Sequence, residues 1–286
     1  MNNSSSIAVS TGFQEVNLSP GQTYEGEFFV LNPSSEQSLL NYTIAIAPLS
    51  FENDSYEVYF DYPMDYNQIT DWIQIENPSG SVERGGRNLI KYTIEVPENA
   101  PAGGQYAAFL VRLESEDSEQ ALGYSVKNNS QVAVMLYASI DGETRKTGIV
   151  EKNSISPIYL DSPIKTETIL NNTGNVHMKA SVVLKVFPLF SDEEVYSNEE
   201  KPDEKIIIPG TTQYSERKWE GTPRLGLYKI TQEVEFAGNK EIKEQIALVC
   251  PIWFLVLSIA FVLACIFYLI DRGRKRKKHK KVLKNT

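Results

Sequence analysis

Side chains suited to catalysis are scarce in this sequence. Ahead of the long apolar stretch near the C-terminus there is one histidine, His177, and no cysteine. Neither a Gly-x-Ser-x-Gly nucleophile elbow nor a phosphate-binding loop occurs. His177 closes a run of Asn, Thr and Gly residues that is typical of a turn, in which we expect Gly174 to supply a positive φ. The sequence therefore predicts a structural or solvent-facing histidine, no enzymatic activity and no cofactor, with a metal-dependent hydrolase as the weakest alternative.

Residues 51–72 mix carboxylates with tyrosines, and two ligand classes stay open for them. The oxygen-bearing side chains offer the ligands that Ca²⁺ prefers, without the glycine and terminal glutamate of an EF-hand; they are Asp61, Asp65, Asn67 and Asp71. The tyrosines offer flat apolar faces and hydroxyls that suit sugar rings or a peptide partner; they are Tyr56, Tyr59, Tyr62 and Tyr66. In the alternative interpretation the aromatics, including Trp72, fill a core while the acids face water.

These residues must be positioned by a chain with one dominant feature near its end. Residues 246–270 carry no charge and are mostly apolar, which is long enough for a helix to cross a hydrocarbon core of about 30 Å. Both cysteines, Cys250 and Cys265, fall within this run and are expected to be small buried apolar residues, although a dimer contact stays open. The sequence predicts one transmembrane helix at 246–270.

Charge is divided sharply around that helix. The chain has 28 Lys and Arg against 37 Asp and Glu; the tail at 271–286 holds nine basic residues and one acid, which leaves 19 basic against 36 acidic residues before it, a net of −17. The positive-inside rule places the tail in the cytoplasm and the rest outside a plasma membrane. An acidic outer region argues against nucleic acid as a partner. Tail residues expected to contact inner-leaflet headgroups are Arg272, Arg274, Lys275, Arg276, Lys277 and Lys278.

The sequence pattern of the outer region predicts β-strands along its whole length. Short runs of alternating apolar and polar residues recur about every ten residues, separated by Pro-Gly, Asn-Pro and Gly-Gly turn signals, and no amphipathic helix intervenes. An outer region also needs an export signal, which residues 1–6 do not provide, so we expect a start further upstream or a signal already removed. This pattern predicts an all-β ectodomain.

The strand pattern repeats once, which predicts two tandem immunoglobulin-like β-sandwiches followed by the transmembrane helix. Pro209-Gly210 echoes Pro20-Gly21, and Tyr228 echoes Tyr106 at the start of a long late strand. A tyrosine in that position suits a tyrosine corner, whose hydroxyl bonds back to the chain. We predict a first sandwich at residues 1–141, a linker at 142–152, a second sandwich at 153–240 and a short join at 238–245.

Several pieces together resemble one family of bacterial surface proteins, the WxL-interacting proteins with a peptidoglycan-binding domain. They are the Pro20-Gly21-x-Thr23 turn, the run from Val96 through Pro97-Glu-Asn-Ala-Pro-Ala-Gly-Gly-Gln-Tyr106 to Ala108, the Asn172-Thr-Gly-Asn-Val-His177 segment, Pro209-Gly210 and Gly226-Leu-Tyr228. The single span and basic tail follow in the same order. The resemblance implies a first domain that holds the cell wall and a second that engages another surface or host protein; it assigns no binding residue here.

Two functions follow from these observations. The first is a non-catalytic, membrane-anchored surface protein that binds peptidoglycan or another surface or host protein through Tyr56, Tyr59, Tyr62 and Tyr66. The second is a membrane-tethered immunoglobulin-like chaperone or assembly factor that completes exported proteins by β-strand addition. An apolar edge strand unprotected by Lys or Pro would favour the second function.

Overall fold

The structure, a computed structural model, describes residues 7–34, 39–51, 58–114, 130–160, 163–191, 193–219, 221 and 225–282. These residues form mostly β-strands, with a 3₁₀-helix at Asp65–Asp71 and one α-helix, α1, at Ile252–Val282. The strands of the first half are β1 Ala8–Val9, β2 Phe13–Leu18, β3 Thr23–Leu31, β4 Leu39–Pro48, β5 Ser50–Phe51, β6 Val58–Tyr59, β7 Ile73–Ile75, β8 Ser79–Glu83, β9 Arg87–Glu95, β10 Gly103–Leu113 and β11 Gln131–Ile140. The strands of the second half are β12 Gly148–Ile155, β13 Ile158–Tyr159, β14 Ile164–Asn172, β15 Met178–Pro188, β16 Tyr196–Ser197, β17 Asp203–Ile207, β18 Thr212–Trp219, β19 Gly226–Phe236 and β20 Asn239–Val249.

The first half folds as a sandwich of two sheets. One sheet has the order β1-β3-β9-β7 and the other the order β2-β11-β10-β4-β8, with β2 running parallel to β11. Alternation sends every second side chain inward, as Ile90, Tyr92 and Ile94 of β9 show. Phe109 of β10 meets Tyr92 of the opposite sheet at a ring-centroid distance of 4.7 Å. The aromatic core between the sheets confirms the predicted sandwich.

Strand β10 is buried on both faces for nearly its whole length. Its second face, with Tyr106, Ala108 and Leu110, is covered by residues that follow β4, among them Phe51 and Tyr66. Phe51, Phe60 and Tyr66 therefore pack over the outside of a sheet, and Trp72 packs against the main core, as predicted.

The second half also forms two sheets with a core between them. The order β13-β20-β19-β15-β16, with β17 paired to β15, faces the order β12-β14-β18. Ile164, Leu184, Val186, Ile230 and Val249 are fully buried there. The fold class, two tandem immunoglobulin-like sandwiches and one C-terminal apolar helix, is as predicted.

The chain divides into two compact units that do not follow a single cut. The first unit comprises Met1–Glu151, Ile169–Ala180 and Lys205–Tyr214, and the second comprises Lys152–Thr168, Ser181–Glu204 and Ser215–Thr286. One end each of β12, β14, β15, β17 and β18 thus belongs to the first unit. The limits 1–141, 142–152 and 153–240 remain a prediction.

The C-terminal end differs from the predicted limits. Residues 238–245 do not join the sandwich to a helix: β20 forms a hairpin with β19 through Ala237 and Gly238, both at positive φ, and extends to Val249. Ile246 and Leu248 are exposed while Ala247 and Val249 are buried. This alternation is that of a strand, and a continuous apolar run hides it because exposed and buried positions are equally apolar.

Helix α1 therefore starts six residues later than predicted, at Ile252. Pro251 precedes the first helical residue, and its carbonyl accepts from the amides of Phe254 and Leu255. Cys250 is buried beside the sheet and lies outside the helix, contrary to the prediction that it falls within the span, whereas Cys265 lies within the helix. Residues Ile252–Ile270 are long and apolar enough to cross a membrane.

Candidate functional site

The 3₁₀-helix at Asp65–Asp71 is held in place by the amide of Asn67. The Asn67 Nδ2 donates to the carbonyls of Leu49 (2.9 Å) and Tyr106 (2.6 Å), and its Oδ1 accepts from the amide of Met64 (2.7 Å). Pairing between β4 and β10 ends at Pro48 and Ala107, so these carbonyls lie just beyond the ladder. Asn67, 3 % exposed, satisfies buried groups that the sheet leaves unpaired.

The acids proposed for calcium are not brought together around this helix. Asp61, Asp65 and Asp71 are exposed, and Asn67 points inward with its polar atoms engaged. Across the described ranges, no three His, Cys, Asp or Glu side chains form a group that would hold a metal ion. The spacing of these residues in the sequence could not predict this arrangement, because it does not show which side-chain oxygens accept hydrogen bonds from backbone amides.

The four tyrosines predicted to bind a ligand do not lie together in the structure. Tyr59 and Tyr62 line an open cavity of about 340 Å³ together with Ser50, Phe51 and Met64. Tyr66 turns inward, where its ring meets that of Tyr106 at 5.3 Å and burial raises its pKa, opposed by a hydrogen bond from the Phe51 backbone. Tyr56 lies outside the described residues. The structure thus brings two of the four into one cavity.

His177 belongs to an aromatic cluster of the first unit. Its ring lies 5.7 Å from that of Tyr106 and 5.5 Å from that of Tyr137. Burial lowers the His177 pKa; Glu15 opposes this shift, and Lys179 and Lys146 add to it. His177 is therefore a structural histidine, which is one of the two predicted alternatives, and not a solvent-facing one.

Two expectations about this cluster are wrong. Tyr106 does not form a tyrosine corner: its buried hydroxyl faces the backbone of His177 without a hydrogen bond of normal geometry in the described part of the chain. Tyr159 bonds back to the chain instead, by donating to the carbonyl of Lys165 (2.7 Å). Gly174 is not at positive φ; it is small because a Cβ there would lie 2.2 Å from the Arg145 carbonyl oxygen.

The Asn172–Asn175 turn packs against the glycines that open β10. The carbonyl of Asn175 accepts from the amide of Gly104 (2.7 Å), and its side chain bridges the Arg145 amide (2.6 Å) and the Glu143 carbonyl (2.9 Å). A Cβ on Gly103 would lie 2.6 Å from the Asn175 carbonyl oxygen. Two motifs that are 70 residues apart in sequence therefore meet because both require close backbone approach.

Among the described residues, the first half of β11 forms an open strand edge. The amide of Leu113 donates to the Ser130 carbonyl (3.0 Å), whereas the amide of Met135 donates away from β10, to the Gly12 carbonyl (3.0 Å). Since backbone groups alternate in an antiparallel pair, those of Gln131 and Ala133 also point away from β10. Strand β2 covers β11 only from Met135 to Ile140, so the described residues place no strand beside Gln131 and Ala133.

The edge is open because the chain changes sheets. Residues just before β2 belong to β1, which pairs with β3 in the opposite sheet. Other edges of this sandwich differ from this one. Strand β7 has three residues, and on β8 the side-chain amides of Asn88 and Asn32 donate to the Ser81 (2.7 Å) and Val82 (3.2 Å) carbonyls. Strand β2 is the outermost strand of its sheet and pairs only with β11 among the described residues. The open stretch Gln131-Val-Ala-Val134 contains neither Lys nor Pro, the residues that usually protect an edge.

The predicted membrane-contact residues follow the apolar part of α1. Arg272 is exposed, and the helical backbone continues through Arg274, Lys275, Arg276, Lys277 and Lys278 to Val282. Their contact with headgroups remains a prediction.

Comparison with known proteins gives only distant structural likenesses. No protein family and no curated protein matches the sequence. A structure of the Salmonella enterica SafA pilin in complex with the SafB chaperone matches with a TM-score of 0.41 at 10 % identity, covering 87 % of this chain and 98 % of that one. The class 5 fimbriae chaperone CfaA matches with a TM-score of 0.38 at 13 % identity, covering 85 % and 99 %. A PapD-like domain of human CEP192 matches with a TM-score of 0.32 at 14 % identity, covering 49 % and 89 %.

Proposed function

We propose that this protein is a membrane-tethered chaperone or assembly factor that holds an extended segment of an exported protein by β-strand addition to β11. The observation that carries this proposal is the open, unprotected edge at Gln131–Val134. Each of Gln131 and Ala133 presents one amide and one carbonyl, so a client strand could form up to four main-chain hydrogen bonds there.

The free energy available at that edge fits weak, transient binding of a client strand. Four hydrogen bonds at about 0.5–1.5 kcal/mol each contribute roughly 2–6 kcal/mol before the client's ordering entropy is subtracted. Apolar contacts must supply the rest, and Val132, Ala133 and Met135 are half-buried beside the edge. Such a site would accept many extended apolar segments, because the backbone does most of the recognition.

Helix α1 supports the tether. Ile252–Ile270 is long and apolar enough to cross a membrane, and basic residues follow it. We therefore propose that the sandwiches lie outside the plasma membrane and the tail in the cytoplasm. In this arrangement the edge is presented where exported chains emerge.

A proline substitution tests the proposal. The probe is a fluorescent nine-residue peptide of alternating valine and threonine, titrated by anisotropy against the full chain in detergent. Ala133→Pro removes only an edge-facing amide, so we expect binding to weaken about tenfold, whereas the matched Ala133→Val keeps the amide and should stay within about threefold. Only every second amide of an added peptide faces the edge. N-methylation of that set of amides should abolish binding, whereas N-methylation of the other set should not. Equal affinity of wild type and Ala133→Pro would refute strand addition.

A second candidate function rests on the cavity beside Tyr59 and Tyr62. Tyr62 is 68 % exposed and Met64 51 %, so an apolar, aromatic surface meets solvent in a concave site, which suits a sugar ring of peptidoglycan or a partner side chain. Co-sedimentation of the full chain in detergent with cell-wall sacculi across a salt series tests this function. Saturable binding that survives high salt and is lost in Tyr62→Ala would support it, and no binding at any salt would exclude it.

A further inference from the structure

Exposed apolar side chains of the second sandwich gather at one of its ends. Three loops at that end each carry an exposed apolar residue: Leu160 is 41 % exposed, Phe190 92 % and Leu225 44 %. These loops lie at the same end because the amide of Leu189 donates to the carbonyl of Leu227 (2.8 Å), next to the start of β19. Isolated exposed apolar residues are common, but a group gathered at one end marks an interaction surface.

The outer face of the larger sheet continues this group. Leu227 lies opposite Leu248 across β19 and β20, and Ile158 lies beside Leu248 across β13 and β20. All three are 38–53 % exposed. Together, Ile158, Leu160, Phe190, Leu225, Leu227 and Leu248 define what we call the apolar end.

The same face becomes charged away from this end. Along the hairpin, Leu227–Leu248 is followed by Lys229–Ile246, Thr231–Glu244 and Glu233–Ile242, and finally by Glu235–Lys240. At about 3.3 Å per residue, the last pair lies roughly 26 Å from the first. The gradient from apolar to charged therefore runs along the strands of β19 and β20, and its apolar side lies where β20 leads into α1.

The connection between β20 and α1 is short and fixed. Only Cys250 and Pro251 separate Val249 from the helix, and the amide of Cys250 donates to the Tyr159 carbonyl (2.9 Å). Trp253, 60 % exposed, lies in the first turn of the helix and Tyr268, 63 % exposed, near the end of its apolar part, as aromatic residues do at the two surfaces of a bilayer. The apolar end thus adjoins the residue that marks the bilayer surface.

We propose that the apolar end is a membrane-docking surface, whose loop residues Leu160, Phe190 and Leu225 insert into the outer headgroup region of the bilayer that α1 crosses. Continuity with the helix favours lipid over a soluble partner, because a two-residue connection keeps this end within a few ångströms of the bilayer surface. Docking would fix the height of the second sandwich above the membrane. This inference does not depend on strand addition at β11.

Depth-dependent quenching tests the docking surface. The full chain, in a Cys250→Ala, Cys265→Ala background, is labelled with bimane at Phe190→Cys or at Leu227→Cys and reconstituted in nanodiscs containing lipids with a nitroxide near the headgroup. Ile242→Cys is the matched control, since Ile242 is also apolar and 53 % exposed on the same face, about 20 Å further along β20 from Leu248.

We expect quenching at 190 and 227 to exceed that at 242 at least threefold, with a blue-shifted emission that disappears when nitroxide-free detergent replaces the lipid. Equal quenching at all three positions would overturn the proposal. So would an unquenched Phe190→Cys label whose emission stays blue-shifted in detergent, because a second protein copy would then cover this end.

Discussion

Removing the side chain of Asn67 should destabilise the first unit more than its size suggests. Asn67→Ala deletes both the acceptor for the Met64 amide and the donor for the Leu49 and Tyr106 carbonyls. The Leu49 and Tyr106 carbonyls lie where β4 separates from β10, so no strand can replace the lost donor, and the Met64 amide lies at the start of the 3₁₀-helix. The substitution leaves two buried carbonyls and one partly buried amide to find water or remain unpaired.

The expected cost follows from those three groups. An unpaired buried donor or acceptor costs about 1–3 kcal/mol, and at the lower end of that range the sum is about 3 kcal/mol. For a unit of this size, each kcal/mol lowers the melting temperature by about 2–4 °C, so we expect a decrease of roughly 6–12 °C. The loss should also release the segment that carries Tyr59 and Tyr62.

Thermal unfolding of the full chain in detergent, followed by near-ultraviolet circular dichroism, measures this decrease. Asn171→Ala is the matched control, because the Asn171 amide donates only to the exposed carboxylate of Glu151 (2.8 Å) and should contribute less than about 0.5 kcal/mol. A decrease for Asn67→Ala no larger than that of Asn171→Ala would refute the assignment of Asn67 as the residue that braces the helix at Asp65–Asp71.

Three further predictions concern buried groups. Burial holds the His177 pKa below 6.5, so the unfolded chain takes up the proton first as the pH falls. The contribution of His177 to stability should therefore be complete above pH 6.5 and be lost as the pH falls toward the folded-state pKa. In His177→Phe, the urea-denaturation midpoint should change less between pH 7.5 and 5.5 than in the wild type. A Cβ at Gly104 would lie 1.9 Å from the hydroxyl of the fully buried Tyr106, so Gly104→Ala should cost about 1–3 kcal/mol in urea denaturation, whereas Gly12→Ala, with nothing within 4 Å, should be nearly neutral. Within the described residues the buried Thr166 hydroxyl has no hydrogen-bond partner, whereas the Thr168 hydroxyl accepts from the side-chain amide of Gln232. Thr166→Val should therefore raise the melting temperature and Thr168→Val should lower it. A decrease for both variants would show that water satisfies the Thr166 hydroxyl.

The fold was predictable from the sequence because it rests on local patterns. Alternation in β9 and β10, the turn signals between strands and the charge-free run near the C-terminus each act over a few residues. The start of the helix was not predictable, because Ile246–Val249 is apolar on both faces of a strand and joins the helical run without a polar break. Only pairing with β19, which is a tertiary contact, distinguishes the two.

The binding site was harder to predict for a related reason. Tyr59, Tyr62 and Tyr66 are equivalent in the sequence, and the backbone bonds of Asn67 decide that Tyr66 turns inward while the other two line a cavity. The open edge had a visible signal, a strand free of Lys and Pro at Gln131–Val134. Which side of that strand is uncovered depends on the chain leaving β11 at Gly12, and residue types alone do not reveal that change of sheet.

Amide exchange at Ala133 tests strand addition most directly. With ¹⁵N-alanine labelling of the full chain in detergent, the Ala133 amide faces the open edge, whereas the amide of Ala138 in the same strand faces β10. Addition of the valine–threonine peptide should slow hydrogen exchange at Ala133 at least tenfold and leave Ala138 unchanged. Peptide binding that leaves the exchange of Ala133 unaltered would show that clients dock elsewhere and would contradict the proposed function.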